Sequence, residues 1–244
     1  MRTSASDTEE YKAILQMAVN DEIIFKEFKR HPWYTRILEH AIKEQGELYY
    51  KKIAENNPWI LRHPHIELFL QNDLIGNPVK YKYNDIEISP SSLRYLSVLS
   101  DLYDYELLGD NIVEIGCGYG GQCLMISQIF RYKSYSFYDL DEALLLIQKY
   151  LLKHNIVLPK TSVKKYDLVI SNYAFTECDP QIQDMYLKKI INKSKHGYIT
   201  GNFDPNLNTM KSYTMEELLE RISKRVQILE EKPLIHPGHK ILKW

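Results

Sequence analysis

The sequence predicts an α/β protein, a mostly parallel sheet covered by helices on both faces and preceded by a helical N-terminal region. Three observations carry this expectation. From about residue 111 onward, short apolar runs alternate with amphipathic stretches. The first of these runs passes straight into a glycine-rich loop and a helix, in NIVEIGCGYGGQCLMI. Before residue 85 the apolar residues recur at helical spacing instead.

Ile14, Met17, Ala18, Ile24, Phe25 and Phe28 follow that helical spacing, as do Ile37, Leu38, Ala41 and Ile42. Pro32, Pro58 and Pro64 punctuate the region. The stretch Asn72 to Tyr81 is turn-rich, and NDIEIS alternates like a short strand. Ser89 and Pro90 are the cap and first-turn residues of a helix reaching about Tyr103. Strands are then expected at 112–115, 135–138, 168–171 and 198–201. Helices are expected between them at about 121–130, 142–153 and 180–192. A last helix at 214–224 precedes two strands, 226–231 and 240–244, which the turn IHPG can join as an antiparallel pair. The expected division is a helical region at 1–85 and a sheet domain at 86–244.

Composition limits the function. Apolar residues make up 44% and charged residues 26% of 244, which suits a globular chain with a core. A net charge of −1 argues against a nucleic-acid partner bound through bulk positive charge. The basic run Lys160, Lys164 and Lys165 reads as a solvated loop. No apolar run is long enough to span a bilayer, and MRTSASDTEE has no signal-peptide core, so a cytoplasmic protein is expected. The three cysteines lack metal-ligand spacing and read as reduced packing residues.

The glycine loop is the chemical signal. Gly116, Gly118 and Gly121 satisfy G-x-G-x-x-G, which admits any nucleotide-like cofactor or a bare structural turn. Asp139 follows the second strand about 20 residues later, where an acid can accept ribose hydroxyls; this suits NAD and S-adenosylmethionine alike. Glu114 tips the balance, because an acid beside a pyrophosphate is repelled but one beside an ammonium and a sulfonium is attracted. Asn172 and Tyr173 end a central strand at its carboxyl edge, where ligands bind in open α/β sheets. An NAD-dependent oxidoreductase lacks a Tyr-x-x-x-Lys pair here, since Tyr186 and Lys189 are only three apart. A cofactor-binding scaffold without catalysis is the third alternative.

VEIGCGYGG, YDLDEALLLIQKYL and YDLVISNYAFTE resemble motifs of the class I S-adenosylmethionine-dependent methyltransferases. Together with ISPSSLRYLSVLSDL, GYITGNF, FLQNDLIGNP and EEKPLIHPGHKILKW, they resemble a family of bacterial sugar O-methyltransferases over about residues 28–244. The resemblance implies a Rossmann-like sheet with an antiparallel last strand. It implies S-adenosylmethionine as cofactor, held by Arg94, Glu114, Gly116, Gly118, Gly121, Gln122, Asp139, Leu140, Asn172 and Tyr173. It further implies a sugar hydroxyl as acceptor, in a nucleotide-sugar or a surface or capsular polysaccharide precursor; a phosphate-type acceptor is the alternative. The sequence departs from the class between about residues 154 and 168, which are too few for a strand and a helix. IVLPKTSV can supply a third strand, and adenine is then expected against Tyr138 or Leu140.

A sugar hydroxyl needs a group to take its proton. Glu177, after the motif SNYAF, is the first candidate base; a helix-capping acid is its other reading. His236 is the second candidate. It flanks Pro237-Gly238 with His239, and either histidine can instead be structural. Asp139, Asp141, Glu177, Asp179 and Asp204 are scattered carboxylates that can converge on a cation, but no metal is expected from their spacing. The N-terminal helices are expected to form a lid, an acceptor wall or a homodimer interface.

Overall fold

The computed structural model describes residues 2–158, 165–204, 206 and 210–244. In the N-terminal part the helices begin where side-chain caps and prolines fall. Helix α1 (Glu9–Asn20) is capped by Thr8, whose hydroxyl accepts from the Tyr11 amide, and it buries Tyr11, Ile14, Leu15 and Ala18 on one face. Asp21 ends α1 and caps α2 (Glu22–Glu27) by accepting from the amides of Ile23 and Ile24. Short α3 (Pro32–Thr35), α4 (Lys43–Asn56) and α5 (His65–Leu70) follow. The turn-rich stretch ends in a hairpin of β1 (Tyr81–Tyr83) and β2 (Ile86–Ile88). The sequence pattern predicts only the second of these strands. Helix α6 (Pro90–Asp104) starts as expected, with Ser89 accepting from the Ser92 amide and proline in the first turn.

The sheet then builds from β3 (Asn111–Ile115), α7 (Gly121–Ile129), β4 (Ser134–Tyr138), α8 (Asp141–Lys153), β5 (Tyr166–Asn172), α9 (Pro180–Lys189), β6 (Ser194–Asn202), α10 (Met215–Arg221), β7 (Gln227–Glu230) and β8 (His239–Lys243). Its six strands lie in the order β4-β3-β5-β6-β8-β7. All run parallel except β8, which is antiparallel to both neighbours. This is the Rossmann-like sheet with an antiparallel last strand.

Strand alternation divides the core. Ile112, Leu168, Ile170, Tyr198 and Ile241 face one way, against α6, α7, α8 and the N-terminal helices. Val113, Ile115, Val169, Ile199 and Leu242 face the other way, against α9 and α10. Ile14, Leu15, Phe28 and Tyr34 belong to the same buried cluster as Leu96, Leu124 and Ile147, so the N-terminal helices share the sheet's core. Lys149 of α8 ties them on, donating to the carbonyls of Ala18 and Val19 at 3.1 and 3.0 Å and pairing with Glu22 at 2.9 Å.

Among the described residues β4 is the edge strand, with no strand beyond it. The expected third strand falls mostly on 159–163, outside the described residues, as do Lys160 and Lys164. No helix among the described residues is long and apolar enough to cross a membrane.

Candidate functional site

From β3 the chain runs outward to β4, then returns past β3 to β5. At such a reversal, neighbouring strand ends lead their loops apart and open a crevice at the carboxyl edge. A cavity of about 450 Å³ lies there. Gly116 and Gly118 after β3, Tyr138 to Leu140 after β4, and Asn172 to Ala174 after β5 form one wall; Asn202 of β6 and His239 of β8 extend it. Arg94 of α6 and Gln45 and Tyr49 of α4 face them, and Ile37 and Leu38 complete the wall.

A segment that sequence reasoning missed also borders the cavity. The Ala5 amide donates to the Glu177 carbonyl and the Asp179 amide to the Thr3 carbonyl, both at 2.9 Å. Thr3, Ser4 and Ser6 thereby reach the cavity wall. Backbone pairing of this kind leaves no periodic signal in so short a stretch.

The glycine loop is held tightly. Gly116 has φ +74° and donates its amide to the Tyr138 carbonyl at 2.8 Å, locking the end of β3 to the end of β4. Asp139 braces the turn: one carboxylate oxygen accepts from the amides of Cys117 and Gly118 at 2.6 and 3.0 Å, the other from Leu140 at 2.8 Å. Burial pushes its carboxyl upward, and the three amides work against that push.

Two polar atoms of the cavity residues are orphaned. Arg94 Nε and Asn172 Oδ1 are buried and have no hydrogen-bond partner among the described residues. A buried donor or acceptor left this way costs roughly 1–3 kcal/mol, which a ligand can restore.

On the far side, Tyr173 adopts φ +69° and ψ −37°, a conformation costing a tyrosine about 1–3 kcal/mol. Both its ends are pinned. Its amide donates to the Thr200 carbonyl at 2.8 Å, and its hydroxyl donates to a carboxylate oxygen of Glu231. The other Glu231 oxygen meets His239 Nδ1 at 2.8 Å. Glu231 is only 7% exposed. Glu177 also lines the cavity; burial raises its carboxyl, while His239 and Arg94 draw it down.

Of the residues expected from sequence, Arg94, Gly116, Gly118, Asp139, Leu140, Asn172, Tyr173 and Glu177 come together around the cavity. Glu114, Gly121, Gln122 and His236 do not line it, each for a local reason. The Glu114 side chain lies on the α6–α8 face of β3 and accepts from the Tyr135 hydroxyl at 2.7 Å. Gly121 leaves room for the Tyr95 ring, which an added Cβ would approach to 2.6 Å. Gln122 is fully buried and donates to the Tyr95 carbonyl at 3.3 Å. His236 is occupied by its own turn, accepting from the Gly238 amide at 3.1 Å, with Asp204 3.7 Å from its other ring nitrogen. The scattered carboxylates do not gather: among the described residues no three His, Cys, Asp or Glu side chains form a metal-binding group.

Burial pushes the Glu114 carboxyl to about 8 from an ordinary 4.5. Because the folded value lies above the unfolded one, its stabilising contribution is complete below about pH 4.5 and is lost as pH rises through about 8. Glu114→Gln is therefore expected to lessen the fall in unfolding free energy between about pH 5 and pH 8, measured by urea denaturation at each pH. Identical pH dependence in parent and variant would contradict the assignment.

No protein-family model matches the chain, and no curated protein does. Solved structures with partial likeness in fold exist. An S-adenosylmethionine-dependent methyltransferase from Clostridium acetobutylicum is 12% identical, the match covering 60% of this chain and 87% of that one, with a TM-score of 0.48. A protein from Pyrococcus horikoshii is 11% identical over 66% of this chain and 93% of its own, with a TM-score of 0.49. Magnesium protoporphyrin IX methyltransferase from Synechocystis, solved with bound SAH, is 14% identical over 62% and 80%, with a TM-score of 0.44.

Proposed function

We propose that the chain is an S-adenosylmethionine-dependent methyltransferase. The observation that carries this reading is the pair of orphaned atoms, Arg94 Nε and Asn172 Oδ1, on two residues that line one cavity from facing walls. An α-amino acid group answers both: its carboxylate meets the guanidinium and its ammonium donates to the amide oxygen. Tyr138, Leu140, Ile182 and Tyr186 in the same wall suit a flat purine. After its three backbone bonds Asp139 keeps one lone pair, on Oδ1, for a ribose hydroxyl. A dinucleotide suits the loop less well. The Cys117 and Gly118 amides are already taken by a carboxylate, beside which a pyrophosphate is repelled.

When bound, S-adenosylmethionine supplies a methyl group on a positively charged sulfur. The protein's part is to hold an acceptor in line with that methyl, to exclude water and to take the acceptor's proton.

The particular acceptor in this reading is a sugar hydroxyl of a nucleotide-sugar or surface-polysaccharide precursor. Its support is the resemblance carried by ISPSSLRYLSVLSDL, SNYAFTE and EEKPLIHPGHKILKW. Gln45, Tyr49, Asn202 and Glu177 offer hydrogen-bonding groups such a ligand can use. Residues 1–85 then act as lid and acceptor wall over the cofactor domain at 86–244, and Glu177 orients the acceptor.

Calorimetric titration tests the class. S-adenosylhomocysteine is expected to bind the purified chain and NAD is not; binding of NAD without S-adenosylhomocysteine would overturn the proposal.

A further inference from the structure

We propose that His239, oriented by Glu231 and Tyr173, is the general base that takes the acceptor's proton. The inference rests on the methyltransferase reading above. Topology brings the three residues together. Strands β5 and β7 run parallel, so Tyr173 and Glu231, just beyond their last residues, lie at the carboxyl edge of the sheet. Strand β8 runs the opposite way, so its first residue, His239, arrives at that same edge, opposite Asn202 of β6. The register Glu230↔Lys240 makes Glu231 and His239 the next pair along the hairpin.

The hydrogen bonds decide the tautomer. A carboxylate only accepts, so Glu231 draws the proton of the ring to Nδ1, where the contact is 2.8 Å. Nε2 is left with its lone pair, and among the described residues nothing bonds to it. The ring itself lines the cavity. Tyr173 occupies the second Glu231 oxygen and lies 4.9 Å from the His239 ring, centroid to centroid. This explains why the chain tolerates the left-handed conformation at Tyr173: it aims the phenol at Glu231. His236 has no such arrangement.

The step balances as follows. The acceptor oxygen forms a bond to the methyl carbon as the carbon–sulfur bond breaks. The electron pair of that bond goes to sulfur, which becomes a neutral thioether. The hydroxyl proton passes to His239 Nε2, and the imidazolium, neutralised by Glu231, later releases it to water. His239 is the catalytic residue, and Glu231 and Tyr173 position it.

The charged and titratable groups facing His239 are Glu231 after β7, Tyr173 and Glu177 after β5, and His236 in its own turn, with its ring 5.3 Å away. Arg94 of α6 faces Tyr173 and Glu177 from beyond. Nitrogen NMR of histidine-labelled protein, with the His239 signal assigned by its loss in His239→Gln, reads the tautomer without any acceptor. An Nδ1–H tautomer is expected. Glu231→Leu, which takes the acceptor away from Nδ1, should shift the tautomer population toward Nε2–H. An Nε2–H tautomer in the parent, or a tautomer population that ignores Glu231→Leu, overturns the dyad.

The second arm measures transfer of labelled methyl from S-adenosylmethionine to a panel of methyl pyranosides. For any member the parent methylates, His239→Gln is expected to lower kcat by about 10²–10⁴-fold. Its S-adenosylhomocysteine affinity should stay within about twofold. Parental kcat in His239→Gln overturns the assignment and leaves the methyltransferase reading standing. Failure of the parent chain to bind S-adenosylhomocysteine overturns that reading instead.

Discussion

Gly116→Ala is expected to abolish S-adenosylhomocysteine binding and to destabilise the fold by about 3 kcal/mol. A Cβ at this position would lie 1.9 Å from the Cβ of Ala174 and 3.4 Å from its Cα. Neither atom can swing aside, because Ala174 opens the single turn Ala174–Glu177 that follows the strained Tyr173. Alanine at φ +74° also pays the left-handed penalty of about 1–2 kcal/mol. Either β3 must part from β4, breaking the bond from Gly116 to Tyr138, or the turn must move and carry Asn172 and Tyr173 with it. Both routes dismantle the cavity. Gly118→Ala is the control for the backbone penalty alone: at φ +58° it pays the same left-handed cost, but its Cβ would meet only the tip of the Leu38 side chain at 2.6 Å, which can rotate away. Urea denaturation and calorimetry on both variants check the contrast. A Gly116→Ala chain of parental stability that still binds the ligand would refute the account of the loop.

Arg94→Met is expected to weaken S-adenosylhomocysteine by about 30- to 100-fold while leaving stability unchanged or raising it. The affinity figure is that of a charge-assisted hydrogen bond, about 2–3 kcal/mol. The opposite sign for stability follows from what Arg94 lacks. Among the described residues its guanidinium pairs with no carboxylate, and its Nε is buried without a hydrogen-bond partner. Burying a charge without a partner costs free energy, and an apolar side chain of similar length removes the cost. A purely structural arginine would show the reverse, with lost stability and retained affinity. Calorimetry with S-adenosylhomocysteine, beside urea denaturation of the ligand-free chain, separates the two.

Much of this site was legible in the sequence. The glycine loop was visible because positive φ demands a residue type, and Asp139 because a strand of known length places its successor at the carboxyl edge. Ser89 and Pro90 announced α6 through cap chemistry that depends on a few adjacent residues. The hairpin of β7 and β8 was visible as two strands and a turn. Its register was not, and the register alone separates His239, which reaches the cavity, from His236, which closes a turn. Glu231 carried no local mark for the same reason. Its signal lies in pairing arithmetic with a strand eight residues away. Glu114 was legible as an acid in motif position, but not as the partner of Tyr135, because strand periodicity assigns a face without saying what stands opposite.

By itself, then, the sequence determined the order of the strands and helices from β3 onward and the loop that turns between β3 and α7. These depend on local properties: side-chain period, backbone freedom and capping. Only the tertiary structure decided that Asp139 braces the loop amides, that Arg94 and Asn172 face one cavity with unmet bonds, and that Glu231 fixes His239 while Glu114 turns inward. Those meetings depend on register and packing between segments far apart in the chain, where each partner's position follows from the whole sheet rather than from its neighbours in sequence.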